Sequence, residues 1–240
     1  MPPLTPFTAL ILAAGKGSRL GGDTPKPLVL INGKPLIEPI IHNCLALMPE
    51  VLVAVSAYTL GVRELYRDSR LTCHTVIPRG TGANVLDLLA HVRTPHILIA
   101  QADDSYFYTQ HTLEDLAAKH LESRADFTIA STRTNLPLRY SQVNSDADGR
   151  FLYIDTSDRA KAAPSKDIVC GLYAARTEWL RAMLPRVAPS ADGEIGLPWV
   201  TLPGLQAGSD MRVFPIPRGQ WEGINTQEEL ESARRHALTA

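Results

Sequence analysis

Two glycines, two alanines and several cations crowd the start of the chain, in Leu12-Ala13-Ala14-Gly15-Lys16-Gly17-Ser18-Arg19, with Pro25-Lys26 following after five residues. Glycines placed directly after a strand let backbone N–H groups converge on an anion, because no Cβ blocks the approach. Arg19 and Lys26 add positive charge to the same place. The chemistry on offer is phosphate binding and the stabilisation of charge that develops on a phosphate. The spacing is neither that of a Walker loop nor that of the dinucleotide fingerprint. The competing reading is a surface loop with incidental charges.

Two further groups follow the same logic. Gly80-Thr81-Gly82 stands between an expected strand and an expected helix, where backbone amides grip a base edge or a ribose, or merely make a tight turn. Asp103-Asp104 follows the apolar run His96–Ala100, at the end of a strand where α/β sheets bind their ligands. A carboxylate there suits Mg²⁺, a hard cation that prefers oxygen and bridges substrate phosphates through one or two protein groups. Helix capping is the alternative for this acid pair. The seven histidines show no metal-binding spacing, and no Gly-x-Ser-x-Gly elbow occurs. Arg159, Lys161 and Lys166 offer cations to an acceptor phosphate, against the plainer reading of a solvated loop.

The elements that must position these groups alternate. Strands are expected at Thr8–Ala13, Val51–Ala57, Leu71–Ile77, His96–Ala100 and Phe127–Thr132. Between them the apolar spacing predicts helices over Leu36–Met48 (with Pro35 as first residue), Leu60–Arg67, Asn84–Val92 and Thr112–Glu122. Repeated strand–helix units imply an α/β fold: a Rossmann-like, mixed but mainly parallel sheet with helices on both faces. From about residue 133 to 167 the rhythm breaks into a small β-rich insertion. In it, Tyr140–Asn144 and Arg150–Ile154 flank an Asp-Ala-Asp-Gly turn. A strand at Ile168–Ala175, a helix at Glu178–Leu184, a Pro/Gly-rich loop over Pro185–Gly208 and a strand at Val213–Ile216 follow. Asn225 or Thr226 caps a last helix, with Thr226-x-x-Glu229 as a capping box.

Composition narrows the function classes. The 240 residues carry 24 basic against 25 acidic side chains, a net charge of -1. Neither half is a basic arm, so an electrostatic grip on nucleic acid or on a membrane surface is not expected. No apolar run reaches the ~18–20 residues of a membrane span. Cys44, Cys73 and Cys170 are isolated and odd in number, which fits a reducing, cytoplasmic setting better than a disulfide framework. One catalytic domain over residues 1–240, with the insertion on its substrate side, is the simplest organisation.

These motifs, in this order, resemble the signature of sugar-phosphate nucleotidyltransferases. The chain is similar to the N-terminal uridyltransferase domains of bifunctional N-acetylglucosamine-1-phosphate uridyltransferases. The first glycine-rich motif, Gly80-Thr81-Gly82, Asp103, Cys170-Gly171-Leu172-Tyr173, Gly193-Glu194 and Glu222-Gly223-Ile224-Asn225 carry the resemblance, over residues 8–235. It implies a fold of the nucleotide-diphospho-sugar transferase type. It implies a nucleotide held by Leu12, Ala13, Ala14, Gly15, Gly17, Gly80 and Thr81, with Arg19 and Lys26 as catalytic cations. Mg²⁺ would be held by Asp103, the family's metal position in preference to Asp104, and by the amide oxygen of Asn225. The partners implied are a nucleoside triphosphate and a phosphorylated small-molecule acceptor. The chain ends at Ala240, so the acetyltransferase β-helix of the bifunctional proteins is not expected.

The departures fall on the base- and sugar-reading positions. The family's glutamine before Gly-Thr-Gly is missing from Thr75-Val76-Ile77-Pro78-Arg79. Val169 replaces an asparagine, Ser141 replaces a glycine, and Asp155 is the nearest acid to the sugar-contacting glutamate. The acceptor side is therefore Asp155, Lys166 and Val169, with its specificity open, because a lost hydrogen bond in a pocket changes substrate choice strongly. The expected reaction transfers a nucleoside monophosphate from UTP or dTTP to a sugar 1-phosphate and releases pyrophosphate. The rivals are a cytidylyl- or guanylyltransferase with a non-sugar phosphate acceptor, and a nucleotide-sensing module without turnover.

Overall fold

The computed structural model describes residues 4–15, 17, 20, 24–135, 140–157 and 166–238. The first strand, β1 (Phe7–Leu12), is buried along its whole length, as a strand covered on both faces must be. Its side chains divide by period two. Phe7, Ala9 and Ile11 enter one apolar cluster, and Leu10 and Leu12 enter the other. The turn Asn32-Gly33, with φ of 49° and 85°, closes a two-residue hairpin between β2 (Leu30–Ile31) and β3 (Lys34–Pro35).

That hairpin corrects the expected helix start. Pro35 is a strand residue, the Leu36 N–H donates to the Val29 carbonyl at 2.9 Å, and α1 (Glu38–Leu47) begins later, with Pro39 in its first turn.

β4 (Val51–Val55), a 3₁₀ turn at Leu60–Glu64 in place of the expected Leu60–Arg67 helix, and β5 (Leu71–Thr75) follow. Next come α2 (Thr81–Leu89), β6 (His96–Gln101), α3 (Gln110–Ser123) and β7 (Phe127–Thr134). A hairpin of β8 (Gln142–Ser145) and β9 (Phe151–Asp155) occupies the expected insertion and joins the main sheet through β10 (Lys166–Arg176). The chain closes with α4 (Thr177–Met183), 3₁₀ turns at Leu184–Arg186 and Leu197–Val200, α5 (Thr201–Gln206), β11 (Met211–Pro215) and α6 (Gln227–His236).

The strands run in the order β11-β7-β10-β6-β1-β4-β5. Only β10 runs antiparallel to its neighbours on this path, so the sheet is mixed and mainly parallel, as expected. Helices α1 and α3 cover one face, and α2 and α4 the other. The chain leaves β1 for β4 and β5 on one side and then crosses to β6 on the other. The crevice at the carboxyl ends of β1 and β6 is thus the topological switch point, where open α/β sheets bind ligands.

The helix expected over Asn84–Val92 starts three residues earlier, at Thr81. Its first-turn donors find partners from far along the chain: the Gly82 N–H donates to the Ile195 carbonyl at 2.7 Å. Thr81 Oγ1 in turn accepts from the Leu197 N–H at 2.9 Å. Gly80 is required here. Its φ is +96°, and a Cβ would stand 2.5 Å from the Ile195 carbonyl oxygen.

At the opposite end of the sheet, His120 of α3 is fully buried. Its Nε2 faces His96 Nδ1 at 3.2 Å and its Nδ1 faces Thr128 Oγ1 at 2.9 Å. Burial, and then the facing His96 and Arg176, pull its pKa down to about 3. The unfolded chain takes up this proton near pH 6.5, so stability present at neutral pH is lost as pH falls below that value. The urea midpoint is expected to drop between pH 7 and pH 5. In His120→Gln that part of the slope should flatten, and an unchanged slope would show that the imidazole stays protonated in the fold.

Candidate active site

Lys26 sits in a 3₁₀ turn at Lys26–Leu28, between Pro25 and Pro27, whose fixed φ angles hold the backbone. Its side chain passes over Gly17, where a Cβ would stand 2.5 Å from that of Lys26, and Gly17 has a φ of +68°. A side chain at 17 would therefore displace the lysine. Lys26 is only 8% exposed. Its Nζ donates to Asp103 Oδ2 at 2.7 Å and to Asn225 Oδ1 at 2.9 Å.

Asp103 leaves the carboxyl end of β6, and its carbonyl accepts from the Ile224 N–H at 3.1 Å, tying the two oxygen-bearing segments together. The capping box separates Asn225 from its neighbour. Thr226 Oγ1 accepts from the Glu229 N–H, while Glu229 Oε2 accepts from the N–H groups of Asn225 and Thr226. Thr226 is the cap, and the Asn225 side chain is left to face Lys26.

The acid pair divides. Asp103 is about one-third exposed and faces the lysine. Asp104 is buried against Gly171, where β10 carries a bulge, and a Cβ at 171 would lie 2.6 Å from Asp104 Oδ2. Burial, then the Asp103 charge, push the Asp104 carboxyl well above the ordinary carboxylate range.

A cavity of about 340 Å³ opens at the switch point. Leu12, Ala13, Ala14, Gly15 and Gly17 from the loop after β1 form one wall. Gly80 and Thr81 at the start of α2 line the cavity as well, as do Lys26, Asp103 and Asn225. Ten of the residues singled out from the sequence thus meet in one place. Arg19 lies outside the described residues.

The acceptor set is not assembled there. Among the described residues, none of Asp155, Lys166 and Val169 lines the cavity. Asp155, at the end of β9, accepts from the Ser157 N–H at 2.8 Å. Lys166 is fully buried at the start of β10, and Val169 packs into the apolar cluster under α2 and α4. Of the departures from the family pattern, Asp155 ends β9, Ser141 precedes β8 and Val169 lies on β10. The Gly80-Thr81-Gly82 motif needs a smaller correction: its Gly82 amide and its Thr81 hydroxyl hold the segment Ile195–Leu197.

The sequence reading passed over Asn84 and Gln101, which line the same cavity. Asn84 is 6% exposed, and its Oδ1 is buried without a hydrogen-bond partner. An asparagine on the otherwise apolar inner face of α2, beside Val85 and Leu88, was the available signal.

The residues present fit a hard divalent cation. Two oxygens, one carboxylate and one amide, already converge on a cationic group, the Lys26 ammonium. Among the described residues no cluster of three His, Cys, Asp or Glu side chains forms a metal cage. Asp103 and Asn225 offer the one or two protein oxygens that a hard cation takes when phosphate and water fill the rest of its shell.

The chain has relatives among known proteins. The profile of the MobA-like NTP transferase domain matches residues 9–145. Bifunctional protein GlmU of Paracoccus denitrificans is 28% identical over 236 residues, covering 95% of this chain and 52% of the relative. GlmU of Mycobacterium leprae is 30% identical over 192 residues, covering 74% of this chain and 39% of its own length. The chain thus spans about half, or less, of the curated relatives it matches. Among solved structures, a putative glucose-1-phosphate thymidylyltransferase from Bacillus anthracis superposes with a TM-score of 0.79 at 17% identity, covering 96% of this chain and 95% of that one. HddC of Yersinia pseudotuberculosis gives 0.73 at 20% identity, covering 95% and 98%. The fold is that of the nucleotide-diphospho-sugar transferases. Among the described residues no helix is long and apolar enough to cross a membrane.

Proposed function

Because the chain belongs to the MobA-like NTP transferase domain family, and so to the nucleotidyltransferases, we propose that it transfers a nucleoside monophosphate from a nucleoside triphosphate to a sugar 1-phosphate. UTP or dTTP is the favoured donor, Mg²⁺ is required and pyrophosphate is released. One observation carries this reading: Lys26 Nζ joins Asp103 Oδ2 and Asn225 Oδ1 in a cavity that Gly15 and Gly17 of the glycine-rich motif also line.

In the transfer, an oxygen of the acceptor phosphate attacks the α-phosphorus, the bond from that phosphorus to the β-phosphate oxygen breaks, and pyrophosphate leaves. The acceptor oxygen is already anionic near neutral pH, so the chain supplies no general base. Its task is to position and to neutralise. The loop Leu12–Gly17 presents backbone to the nucleotide, and Lys26 brings a fixed positive charge to the phosphates. Asp103 and Asn225 would hold Mg²⁺, which when bound draws negative charge off the phosphate oxygens. Arg19, close by in sequence, is assigned as the second catalytic cation.

The acceptor is placed on the Asn225 side of the cavity. Tyr140 touches Asn225, and the Val169 N–H donates to the carbonyl of Ser141, the next residue, at 3.3 Å. Gln142 pairs with Asp155 across the hairpin. Asp155 and Val169 are thereby tied to the residues next to Tyr140; we place them, with Lys166, on the strands behind the acceptor side, none of them lining the cavity.

A pyrophosphate-release matrix tests the reading, with four NTPs against sugar 1-phosphates and other phosphorylated alcohols. The expected result is Mg²⁺-dependent release, highest with UTP or dTTP and a sugar 1-phosphate. Release with CTP or GTP and a non-sugar phosphate would replace the substrate assignment. Silence across the matrix would overturn the enzyme reading in favour of a sensor.

A further inference from the structure

We propose that Tyr140 is a positioning residue that sets the orientation of the Asn225 amide. The proposal rests on the metal role assigned to Asn225 above. An asparagine side chain is useful to a cation only by its oxygen, and a half-turn about its last bond would present the NH₂ instead. Two partners fix the orientation here. Asn225 Oδ1 accepts from Lys26, a group with donors only, and Asn225 Nδ2 donates to Tyr140 Oη at 2.7 Å.

The phenol is itself held by the segment that carries Asn225. Its ring meets Trp221 edge-on, with centroids 4.9 Å apart. Its hydroxyl passes over Gly223, where a Cβ would lie only 1.7 Å from Tyr140 Oη. The lack of a side chain at 223 thus makes the room in which Tyr140 reaches Nδ2. When a substrate draws Lys26 away from Oδ1, Tyr140 is the partner that keeps the oxygen turned toward the cation corner. Partners of this kind are worth 10–100-fold in metal affinity.

The test measures Mn²⁺ binding by electron paramagnetic resonance, in the presence of a UTP analogue with CH₂ in place of the α–β bridging oxygen. Tyr140→Phe should weaken Mn²⁺ binding about 10–100-fold, with the thermal midpoint close to that of the parent. Asn225→Asp supplies the control for a merely structural effect, because a carboxylate offers oxygen in either orientation. In the Asn225→Asp background, Tyr140→Phe should therefore cost less than about 3-fold, a small part of its effect in the parent chain. An unchanged affinity in Tyr140→Phe, or an equal loss in both backgrounds, overturns the proposal. Absence of Mn²⁺ binding in the unaltered protein would instead strike the reading of the site, and this inference with it.

Discussion

Lys26→Ala is expected to lower kcat by about 10²–10³-fold, the cost of removing one preorganised electrostatic donor from a transfer site. Lys26 is almost fully buried between two prolines, and its ammonium reaches two oxygens at the cavity's end. In the transfer its charge is needed most when negative charge gathers on the leaving pyrophosphate, so kcat should fall more than KM rises. The fold should survive, because the Asp103 carboxylate left behind is one-third exposed and regains water. Lys26→Arg should restore little. The planar guanidinium does not reproduce the compact point charge that the ammonium brings to Asp103 and Asn225. Measured turnover within 3-fold of the parent, in folded Lys26→Ala, would remove the lysine from the mechanism.

Asp103→Asn tests the other half of the corner. The substitution preserves shape and keeps an oxygen for Lys26, so the thermal midpoint should hardly move. What it removes is the carboxylate that faces Lys26 and lines the cavity, next to an Asp104 that is buried, with its carboxyl pushed up by burial and by Asp103. Turnover should fall by about 10²-fold or more, and the Mg²⁺ concentration for half-maximal rate should rise at least about 10-fold, by the scale of metal-site substitutions. Asp104→Asn offers the contrast. It leaves the charge facing Lys26 in place, so its effect belongs in stability, while the Mg²⁺ requirement stays near that of the parent. A Mg²⁺ requirement unchanged in Asp103→Asn would move the metal site elsewhere.

The corner that carries both predictions was legible because its signals are local. A glycine-rich run after an apolar strand, a Pro-Lys pair and an acid at a strand end each announce their chemistry within a few residues. Asn225 was less legible: the sequence leaves the cap open between Asn225 and Thr226, and the folded capping box gives it to Thr226. What sequence did not show depends on partners far along the chain. Helix α2 starts early because Ile195 and Leu197 satisfy its first turn, and no spacing near residue 81 reveals them. The Tyr140–Asn225 bond joins segments 85 residues apart. Two of the acceptor residues, Asp155 and Val169, stand where this chain departs from the family pattern, and Lys166 comes from a basic run that also reads as a solvated loop. Asp155, Lys166 and Val169 accordingly stand on adjoining strands and not in the cavity wall.

The most direct test of the transfer follows the acceptor's oxygens. A sugar 1-phosphate with ¹⁸O in its non-ester phosphate oxygens is incubated with the triphosphate and Mg²⁺, and the products are weighed by mass spectrometry. Attack by the acceptor on the α-phosphorus predicts all of the label in the nucleotide sugar, one atom of it bridging, and unlabelled pyrophosphate. Label in the released phosphates, or pyrophosphate formed equally fast without the acceptor, would contradict it.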